Sequence, residues 1–487
     1  MSAAPESDNH SSSILHRTPW RLPVAVRGQG IYYDLEGGQR IIDGVGGAAV
    51  ACIGNGHPKV VQAMKDQIDK VAYTYNMQLS NEPAENLARS LVDSSNGAFE
   101  LCVFVAGGSE AMEGITKLGR QYYNEIGQPQ RTNYIARKLS FHGNTLGTLS
   151  LAYHPARRAP YLAIMNTVNF HHVSPAYAKR FQRPNETEEQ YVERLRQELE
   201  DKFFELGPDT VIGFVAETVV GAATGAVPAP RGYFKAMKSV CDKYGALFIL
   251  DEASYERHGS YGYLARLGIV RGWSIGGLSR AHYYIPINFA LQPDIEAVAK
   301  GLGGGYAPIG AILMSEKVVK GIGGKSAFWP HGHTYQAHPV SCAAALAVQE
   351  VIRSENLLEN IRKQGAYLGH LLQEKLRGPN ALAAPFTFDI RGGGGFWGVE
   401  FDVDVPEATR LDLNGGHFAI LVQGRALKNG LIVMGFSGGA NLEGTKGEHI
   451  IFAPAFNITK EEVEVIVGTF VQSVEEIIEE HRIRVEI

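Results

Sequence analysis

Cysteine is scarce in this chain. The 487 residues include four cysteines, Cys52, Cys102, Cys241 and Cys342, and no two of them form a C-x-x-C pair. Short metal-binding and redox motifs need closely spaced cysteines, and disulfide scaffolds need many of them. The spacing therefore argues against both classes and favours a reducing compartment.

A long apolar run and an excess of charge are also missing. The formal net charge is −5, so electrostatics favour neither nucleic acid nor an anionic membrane as a partner. No apolar run approaches the roughly 20 residues that a membrane-spanning helix needs. Residues 1–13 are polar and form neither a signal core nor an Arg-rich transit helix. We expect a disordered lead-in here and a cytoplasmic protein.

A dinucleotide-binding fingerprint is the last notable absence. No G-x-G-x-x-G follows a first strand with an acid about twenty residues further on. A nucleotide-binding oxidoreductase is therefore disfavoured.

The pattern of apolar residues predicts an α/β fold in two domains. From about 84 to 335, helix-like and strand-like segments alternate, and strands such as 101–105 and 246–250 are nearly continuous apolar runs. This pattern is typical of a mostly parallel sheet with helices on both faces. We expect an N-terminal segment, 14–83, associated with a small α+β domain at 336–487, and a large domain at 84–335.

One lysine stands out in the stretch 292–311. Lys300 follows a short β-type run and precedes a cluster of glycines at 301 and 303–305. A lysine that attacks an aldehyde must be neutral, and an apolar setting lowers a lysine pKa by desolvating the cation. Glycines let the backbone approach a bulky ligand closely. Lys300 is a candidate Schiff-base lysine; the alternative is a solvated loop lysine.

Polar residues at strand ends suggest a ligand site, because ligands of such sheets bind beyond the carboxyl ends of the strands. The stretch 107–111, Gly-Gly-Ser-Glu-Ala, follows a strand and opens a helix. Backbone N–H groups at a helix start, together with a hydroxyl, suit a phosphate. The alternative is an ordinary serine cap of the helix.

Four more candidate side chains lie at or just after the ends of predicted strands. Phe141 could stack on a planar heterocycle, or it and His142 could belong to the core. Asp251 ends an apolar strand, where a carboxylate is costly without a cationic partner. A protonated ring nitrogen would be such a partner, and a salt bridge or a cap is the alternative. Glu217 has the same placement.

Histidines cluster in the stretch 331–339. Their spacing matches no strong zinc template, so we expect no metal, and Thr334 could supply a hydroxyl to a phosphate. A phosphate nest, a stacking aromatic, an acid for a ring nitrogen and an amine are together what pyridoxal 5′-phosphate uses.

The order and spacing of these stretches resemble the class III, pyridoxal-phosphate-dependent aminotransferases of fold type I. The resemblance covers about 20–480, and the end of the chain, 444–454, looks like the branch called ω-transaminases. The matching stretches are Gly54-x-Gly-His-Pro58, Gly107-Gly-Ser-Glu-Ala111, Phe141-His-Gly143, Ala216-Glu217, Leu250-Asp-Glu252, Pro293-Asp-Ile295, Ala299-Lys-Gly-Leu-Gly-Gly-Gly-Tyr306, His333-Thr-Tyr335 and Arg391-Gly-x-Gly394.

The resemblance implies roles for single residues. Lys300 would form the Schiff base and carry the proton between the substrate and the cofactor, and Asp251 would pair with the pyridinium nitrogen. Gly108 and Ser109 would hold the phosphate. Phe141 would stack on the ring, where many relatives carry tyrosine.

Further roles follow from the same resemblance. His142 and Glu217 would also belong to the cofactor site, with Glu217 near the side of Asp251. Thr334 would reach the phosphate bound by a partner subunit, so we expect a homodimer with shared active sites.

The chain departs from the family between Glu252 and Pro293. Ala253 replaces a valine that would pack on the ring, and the connection is longer than in relatives, with the excess at about 271–291. Long structureless connections are uncommon inside compact domains. The stretch 271–291 is either an active-site insertion or translated intron sequence.

The resemblance predicts an aminotransferase that moves an amino group from an amine or amino acid to a keto acid or aldehyde. The alternatives are a decarboxylating transaminase, an aminomutase, or a non-catalytic protein of this fold if the insertion disrupts the site. Arg391 and Arg425 could bind a carboxylate, although structural pairing is the favoured interpretation of both.

Overall fold

The computed structural model describes residues 12–18, 21–95, 97–252, 291–406 and 410–483. Ala253 and nearly all of the predicted insertion at 271–291 lie outside these residues, as does most of the predicted lead-in. No helix of the described ranges combines the length and the apolar character that crossing a membrane requires.

The described strands number seventeen. In chain order they are β1 (Ala25–Gln29), β2 (Tyr32–Leu35), β3 (Arg40–Asp43), β4 (Leu101–Val105), β5 (Asn133–Arg137), β6 (Phe170–Val173), β7 (Val211–Glu217), β8 (Val219–Val220), β9 (Val227–Pro228), β10 (Leu247–Asp251), β11 (Ile295–Val298), β12 (Gly310–Met314), β13 (Thr387–Gly393), β14 (Phe396–Phe401), β15 (Leu431–Ile432), β16 (Met434–Ser437) and β17 (Glu448–Phe452).

The described helices alternate with these strands. They are Gly46–Ala49, Pro58–Lys70, Glu82–Ser94, Gly108–Glu125, Leu146–Leu151, Pro155–Arg158, Ala178–Phe181, Glu188–Leu206, Tyr233–Lys243, Glu316–Gly323, Pro339–Ser354, Leu357–Arg377, Phe418–Lys428 and Lys460–His481.

The largest sheet has seven strands in the order β4-β12-β11-β10-β7-β5-β6. Six of them run in one direction, and β12 is antiparallel to both of its neighbours. Helices cover both faces, so the predicted α/β class with a mostly parallel sheet is confirmed.

Strand β10 shows why the sheet strands are continuous apolar runs. Leu247 and Ile249 pack into the core on one face, beside Ile115 and Leu118 of the helix Gly108–Glu125. Phe248 and Leu250 pack into the core on the other face. Successive side chains of a strand point to opposite faces, and both faces of this sheet are covered, so every position of β10 is buried.

Two smaller sheets, β1-β2-β3-β15 and β13-β14-β17-β16, lie outside the large one. In the first, β15 from near the end of the chain runs parallel to β3, with Leu431 opposite Ile42. Ile42 shares a core with Phe418 and Phe470. This contact favours the association of 14–83 with the C-terminal part; the domain boundaries themselves stay a prediction.

The carboxyl ends of the parallel strands meet at one edge of the large sheet. Asp251 at the end of β10 lies opposite Glu217 at the end of β7 and opposite Ala297 of β11. The loop after β4 opens the helix Gly108–Glu125. This edge is where the predicted site residues collect.

Candidate active site

A cavity of about 250 Å³ opens at this edge of the sheet. Six of the eight residues predicted for the site line it: Gly108, Ser109, Phe141, His142, Asp251 and Lys300. Glu217 and Thr334 are not among its lining residues. The remaining wall is apolar or glycine, from Val50, Ala106, Gly107, Gly143, Ala299 and the stretch Ala307-Pro-Ile309.

Lys300 lies directly after β11, at the start of a short 3₁₀ turn, Lys300–Leu302. Its backbone is in the left-handed region, with φ of 45°. L-residues other than glycine seldom adopt this region, and such strain collects at functional sites. The strained position is therefore that of Lys300, the candidate Schiff-base lysine of the sequence.

The surroundings of Lys300 favour its neutral form. Burial lowers the pKa of the Lys300 amine, Arg157 lowers it further, and the carboxylates of Asp251 and Glu217 oppose this by raising it. Burial is the largest of these effects because the cation loses its water. The lowered pKa agrees with the setting that the sequence predicted for a nucleophilic lysine.

Asp251 and His142 form a buried pair in the cavity wall. His142 Nδ1 lies 2.8 Å from Asp251 Oδ2, and an ionised carboxylate can only accept, so Nδ1 is the donor. The other ring nitrogen of His142 is buried and has no hydrogen-bond partner among the residues that the structure describes. His142 thus fixes the orientation of Asp251 from within the protein.

Glu217 lies behind the wall of the cavity. Its carboxylate accepts hydrogen bonds from the backbone N–H groups of Phe141, at 3.0 Å, and Gly221, at 3.3 Å. Burial raises the pKa of Glu217; Asp251 raises it too, while His142 lowers it. The structure therefore shows Glu217 as a support for Phe141, and its direct contact with a cofactor stays a prediction.

The start of the helix Gly108–Glu125 forms a cradle for an anion. Its N-cap, Gly107, contributes no side-chain cap. The hydroxyl of Ser109 does not cap the helix: it donates to Asn144 Oδ1 at 3.0 Å and accepts from the Asn144 N–H at 3.2 Å. Gly107, Gly108 and Ser109 line the cavity, and a helix start with a hydroxyl suits a phosphate.

Gly143 keeps this cradle open. Its φ is +129°, and an added Cβ would lie 2.9 Å from Ser109 Oγ and 2.6 Å from Thr148 Oγ1. A side chain at this position would therefore displace the hydroxyl of Ser109.

Phe141 presents its ring to the cavity, and Arg157 stacks on that ring. The guanidinium carbon of Arg157 lies 4.5 Å from the ring centroid. Sequence reasoning missed Arg157, as it missed Asn144. The only local signal was a pair of arginines, Arg157-Arg158, and nothing in their spacing ties them to Phe141.

Thr334 is exposed and lies outside the cavity. Its carbonyl accepts a hydrogen bond from the Tyr73 hydroxyl at 2.8 Å. A single chain does not bring Thr334 to its own site, so its role toward a partner subunit stays a prediction. In the described ranges, no three histidine, cysteine or acidic side chains are grouped so that they could hold a metal ion.

The cavity fits pyridoxal 5′-phosphate in its chemistry. A desolvated amine, an oriented buried carboxylate, an aromatic ring and a helix start with a hydroxyl line one space. The amine, the acid, the aromatic ring and the helix start, which the sequence analysis found in separate stretches, therefore lie around one cavity. Glu217 and Thr334, also predicted for the site, do not line it.

The chain is similar to a family model over most of its length. Residues 16–255 and 274–474 match the model described as aminotransferase class-III. The match is interrupted at 256–273, which overlaps only the beginning of the predicted insertion at 271–291.

Similar curated proteins carry aminotransferase names. An aminotransferase of Gibberella zeae is 42% identical, covering 90% of this chain and 81% of its own. An uncharacterized aminotransferase of Schizosaccharomyces pombe is 39% identical, covering 92% and 91%. The gamma aminobutyrate transaminase 3 of Solanum lycopersicum is 30% identical, covering 93% and 80%.

Similar solved structures are ω-transaminases. A thermostable variant engineered for asymmetric synthesis of enantiopure bulky amines superposes with a TM-score of 0.81 at 26% identity, covering 96% of this chain and 98% of its own. The Pseudomonas jessenii enzyme in complex with PMP gives 0.79 at 26% identity, with 94% of each chain covered.

Proposed function

The chain belongs to the class III aminotransferase family and is a pyridoxal-phosphate-dependent aminotransferase, and from this premise we propose that the cavity around Lys300 is its active site. The observation that carries the proposal is the convergence of Lys300, Asp251 and Ser109 on one cavity. The reaction moves an amino group from an amine or amino acid to a keto acid or aldehyde.

Each side chain has a task that follows from its surroundings. When bound, pyridoxal 5′-phosphate supplies an aldehyde carbon and a ring that takes up the electron pair released at the substrate carbon. Burial lowers the pKa of the Lys300 amine, and Lys300 would be the residue that holds this carbon. Lys300 would also be the base that moves a proton between the substrate carbon and the cofactor carbon.

The other residues hold and orient the cofactor. Asp251 holds the ring nitrogen, and His142 keeps the carboxylate in place through Nδ1. Gly108 and Ser109 hold the phosphate at the helix start. Phe141 covers the ring, and Glu217 fixes Phe141 through its backbone N–H.

The test is a panel of amine donors and keto-acid or aldehyde acceptors, followed through the absorbance of the bound cofactor. At least one donor is expected to bleach the visible band, and an acceptor is expected to restore it. In Lys300→Ala the rate of this absorbance change is expected to fall by at least about 10²-fold, the usual contribution of a positioned proton-transfer group. Lys320→Ala, which changes an exposed lysine paired with Glu316, is the matched control.

The same panel separates the alternatives. If no amine changes the spectrum, the proposed reaction is wrong and the protein binds the cofactor without turning over. Carbon dioxide release would indicate a decarboxylating transaminase, and turnover without a second substrate would indicate an aminomutase. Sequencing the spliced transcript decides the status of 271–291: a transcript without these codons removes the insertion from the protein.

We further propose a homodimer, supported by an exposed apolar surface near Thr334. Met77 and Leu79 are 79% and 63% exposed, and Phe328 and Tyr335 are each 62% exposed. Large apolar patches on soluble proteins mark interaction sites. The ring of Tyr73, 6.1 Å from that of Tyr335, joins the two segments.

Sedimentation velocity tests the dimer. The wild type is expected to sediment as a dimer and Met77→Glu to shift toward a monomer, whereas Val465→Glu, on the exposed side of the C-terminal helix, is expected to have no effect. A monomeric wild type would contradict the proposal. A cytoplasmic location is proposed from the four free cysteines, and imaging of the tagged protein tests it.

A further inference from the structure

The short turn that carries Lys300 is closed by two backbone hydrogen bonds. The carbonyl of Ala299 accepts from the N–H of Leu302 at 2.9 Å, and the carbonyl of Lys300 accepts from the N–H of Gly303 at 3.1 Å. The next two carbonyls belong to Gly301 and Leu302, and both residues are buried. Buried carbonyls need a hydrogen-bond partner. The turn therefore depends on donors that lie outside it.

Two side chains from distant segments supply such donors. The Cys52 thiol sulfur lies 3.4 Å from the carbonyl oxygen of Gly301. The side-chain amide of Gln349 donates through Nε2 to the carbonyl of Leu302 at 3.1 Å. A thiol is a weak donor, whereas an amide N–H is an ordinary one. Of these two contacts, that of Gln349 is therefore the stronger.

Gln349 is a buried polar residue on an apolar part of its helix. It lies on the helix Pro339–Ser354 and is 6% exposed, and its neighbours Val348, Val351 and Ile352 are buried and apolar. Burying an amide is costly unless it is hydrogen-bonded. Packing of the core is served by an apolar side chain, so the bond to Leu302 gives this amide a role that packing does not.

The bond matters because the turn is strained. Lys300 has φ of 45°, and a residue keeps such a conformation when the surrounding structure determines it. Leu302 lies two residues further along in the same turn. A donor fixed on a long helix therefore opposes relaxation of the turn to an ordinary backbone conformation, which would move the Lys300 amine.

We propose that Gln349 is a positioning residue for Lys300. Its bond to the Leu302 carbonyl holds the strained turn so that the amine faces the place where the cofactor aldehyde binds. Gln349 is not among the residues that line the cavity, and it acts through the turn. The proposal rests on the proposed function, which makes Lys300 the residue that bonds the cofactor.

The test compares two ligands on the cofactor-free protein. Pyridoxal 5′-phosphate has an aldehyde that Lys300 can bond: the lysine nitrogen replaces the aldehyde oxygen, which leaves as water. 4′-Deoxypyridoxine 5′-phosphate has a methyl group in place of the aldehyde and forms no such bond. Calorimetric titration gives the two dissociation constants, and their ratio measures how much the bond to Lys300 adds to binding.

The wild type is expected to bind the aldehyde ligand more tightly than the methyl ligand. Gln349→Met keeps the length of the side chain and removes the donor. It is expected to weaken binding of the aldehyde ligand at least about fivefold, the factor that one hydrogen bond is worth. Binding of the methyl ligand is expected to change less than about twofold.

Gln67→Met is the matched control. Gln67 is 9% exposed, and its Nε2 also donates to a backbone carbonyl, that of Val71, at 2.9 Å. This variant loses the same kind of bond at the end of another helix and is expected to keep the wild-type ratio. Thermal melting without ligand shows whether both variants fold. If Gln349→Met does not fold, Gln349→Asn, whose amide is one methylene shorter, replaces it with the same expectation.

Lys300→Ala shows whether Gln349 acts through the lysine. This variant is expected to bind both ligands with similar affinity, and adding Gln349→Met to it is expected to change the ratio no further. A further change in the double variant would overturn the proposal. An equal loss for both ligands in Gln349→Met, or no loss for either, would overturn it too.

The same titrations distinguish this proposal from the proposed function. A wild type without preference for the aldehyde would contradict the proposed role of Lys300, and the role of Gln349 with it. A preference that Gln349→Met retains in full would overturn the role of Gln349 alone. Neither ligand is turned over in these titrations, so the result does not depend on finding the amine that the protein uses.

Discussion

Arg391 and Arg157 are two of the arginines that burial withdraws from water, and the protein surrounds them in opposite ways. Arg391, in the C-terminal sheet, is buried among acceptors: its Nη1 lies 2.6 Å from Glu400 Oε2 and 3.2 Å from Asp389 Oδ2. Arg157 stacks on Phe141, a residue of the cavity wall, and has no ion pair among the described residues. The first charge is neutralised by carboxylates of the chain, whereas the second lies on an aromatic ring.

The neighbours of Arg391 come from the register of two strands. Asp389 lies two residues before it on β13, and Glu400 is opposite Asp389 on β14. Its Nε donates to the carbonyl of Gly225 at 2.8 Å, which ties the C-terminal sheet to the loop between β8 and β9. The favoured interpretation of Arg391 from the sequence, structural pairing, agrees with this network. Arg425 is likewise paired, with Glu476 at 3.0 Å and with Glu480.

The largest expected effect comes from removing the neutralised arginine. Arg391→Met removes the buried cation of this network, although Asp389 also pairs with Lys179 and Glu400 with Arg180 at 2.7 Å, so we expect a cost of up to about 3–5 kcal/mol of the free energy of unfolding. Urea denaturation measures it. The control, Arg425→Met, breaks a surface pair and is expected to cost less than about 1 kcal/mol. Equal costs for Arg391→Met and Arg425→Met would show that the buried pairs of Arg391 stabilise the protein no more than a surface pair does. The contrast between Arg391 and Arg157 would then be lost.

The next effect is acid sensitivity from buried histidines. Burial, and then the charge of Arg391, lower the pKa of His449 to about 3. The pKa values of His154 and His172 are lowered to about 4, mainly by burial. Above the unfolded pKa of about 6.5 both states are neutral, so the histidines add no pH dependence. Below it only the unfolded state takes up protons. Each histidine then lowers the free energy of unfolding by about 1.4 kcal/mol per pH unit, until the pH reaches its pKa in the folded state.

Denaturation between pH 7 and pH 5 measures this slope. His449→Gln is expected to reduce the loss of stability by the share of one histidine. His370→Gln, which changes an exposed histidine, is expected to leave the slope unchanged. A slope that His449→Gln does not alter would show that His449 is protonated in the folded protein.

A smaller effect is expected in the cavity. Ser109→Ala removes a hydroxyl from the helix start and is expected to weaken cofactor binding about tenfold, the value of one hydrogen bond to a charged group. Titration of the cofactor-free protein with pyridoxal 5′-phosphate measures the change. The control, Ser239→Ala, removes a hydroxyl that donates to the backbone of an exposed helix and is expected to bind normally. Unchanged binding in Ser109→Ala would remove this hydroxyl from the phosphate site.

The smallest effect is expected from removing Arg157, the second arginine of the comparison. Arg157→Gln in the absence of cofactor is expected to change the free energy of unfolding by less than about 1 kcal/mol, because no ion pair is lost. Urea denaturation beside Arg391→Met measures it. A cost comparable to that of Arg391→Met would make Arg157 structural.

The sequence predicted what depends on local pattern. The apolar runs of β7 and β10 follow from burial on both faces. Lys300 and Asp251 converge because they follow or end the neighbouring parallel strands β11 and β10, and Ser109 follows β4, which runs in the same direction on the other side of β12. The structure also decided an alternative: Ser109 bonds Asn144 and does not cap its helix.

What escaped prediction depends on contacts between distant segments. Arg157 is reached only through its stack on Phe141, and no local pattern distinguishes it from Arg158. The support of Phe141 by Glu217 depends on a loop conformation after β5. The pairing of β15 with β3 joins segments near opposite ends of the chain, and no local pattern identifies the partner of either short strand.

The pairing of β3 with β15 has a consequence for the order of events during synthesis. The segment that follows β3 is held by Asp43, whose carboxylate accepts from the N–H groups of Val45 and Gly47, and it leads to Val50 in the cavity wall. Its sheet is completed by Leu431 and Ile432, which leave the ribosome near the end of translation. Contacts between such distant segments form late, so this wall of the cavity is finished only when almost the whole chain has been made.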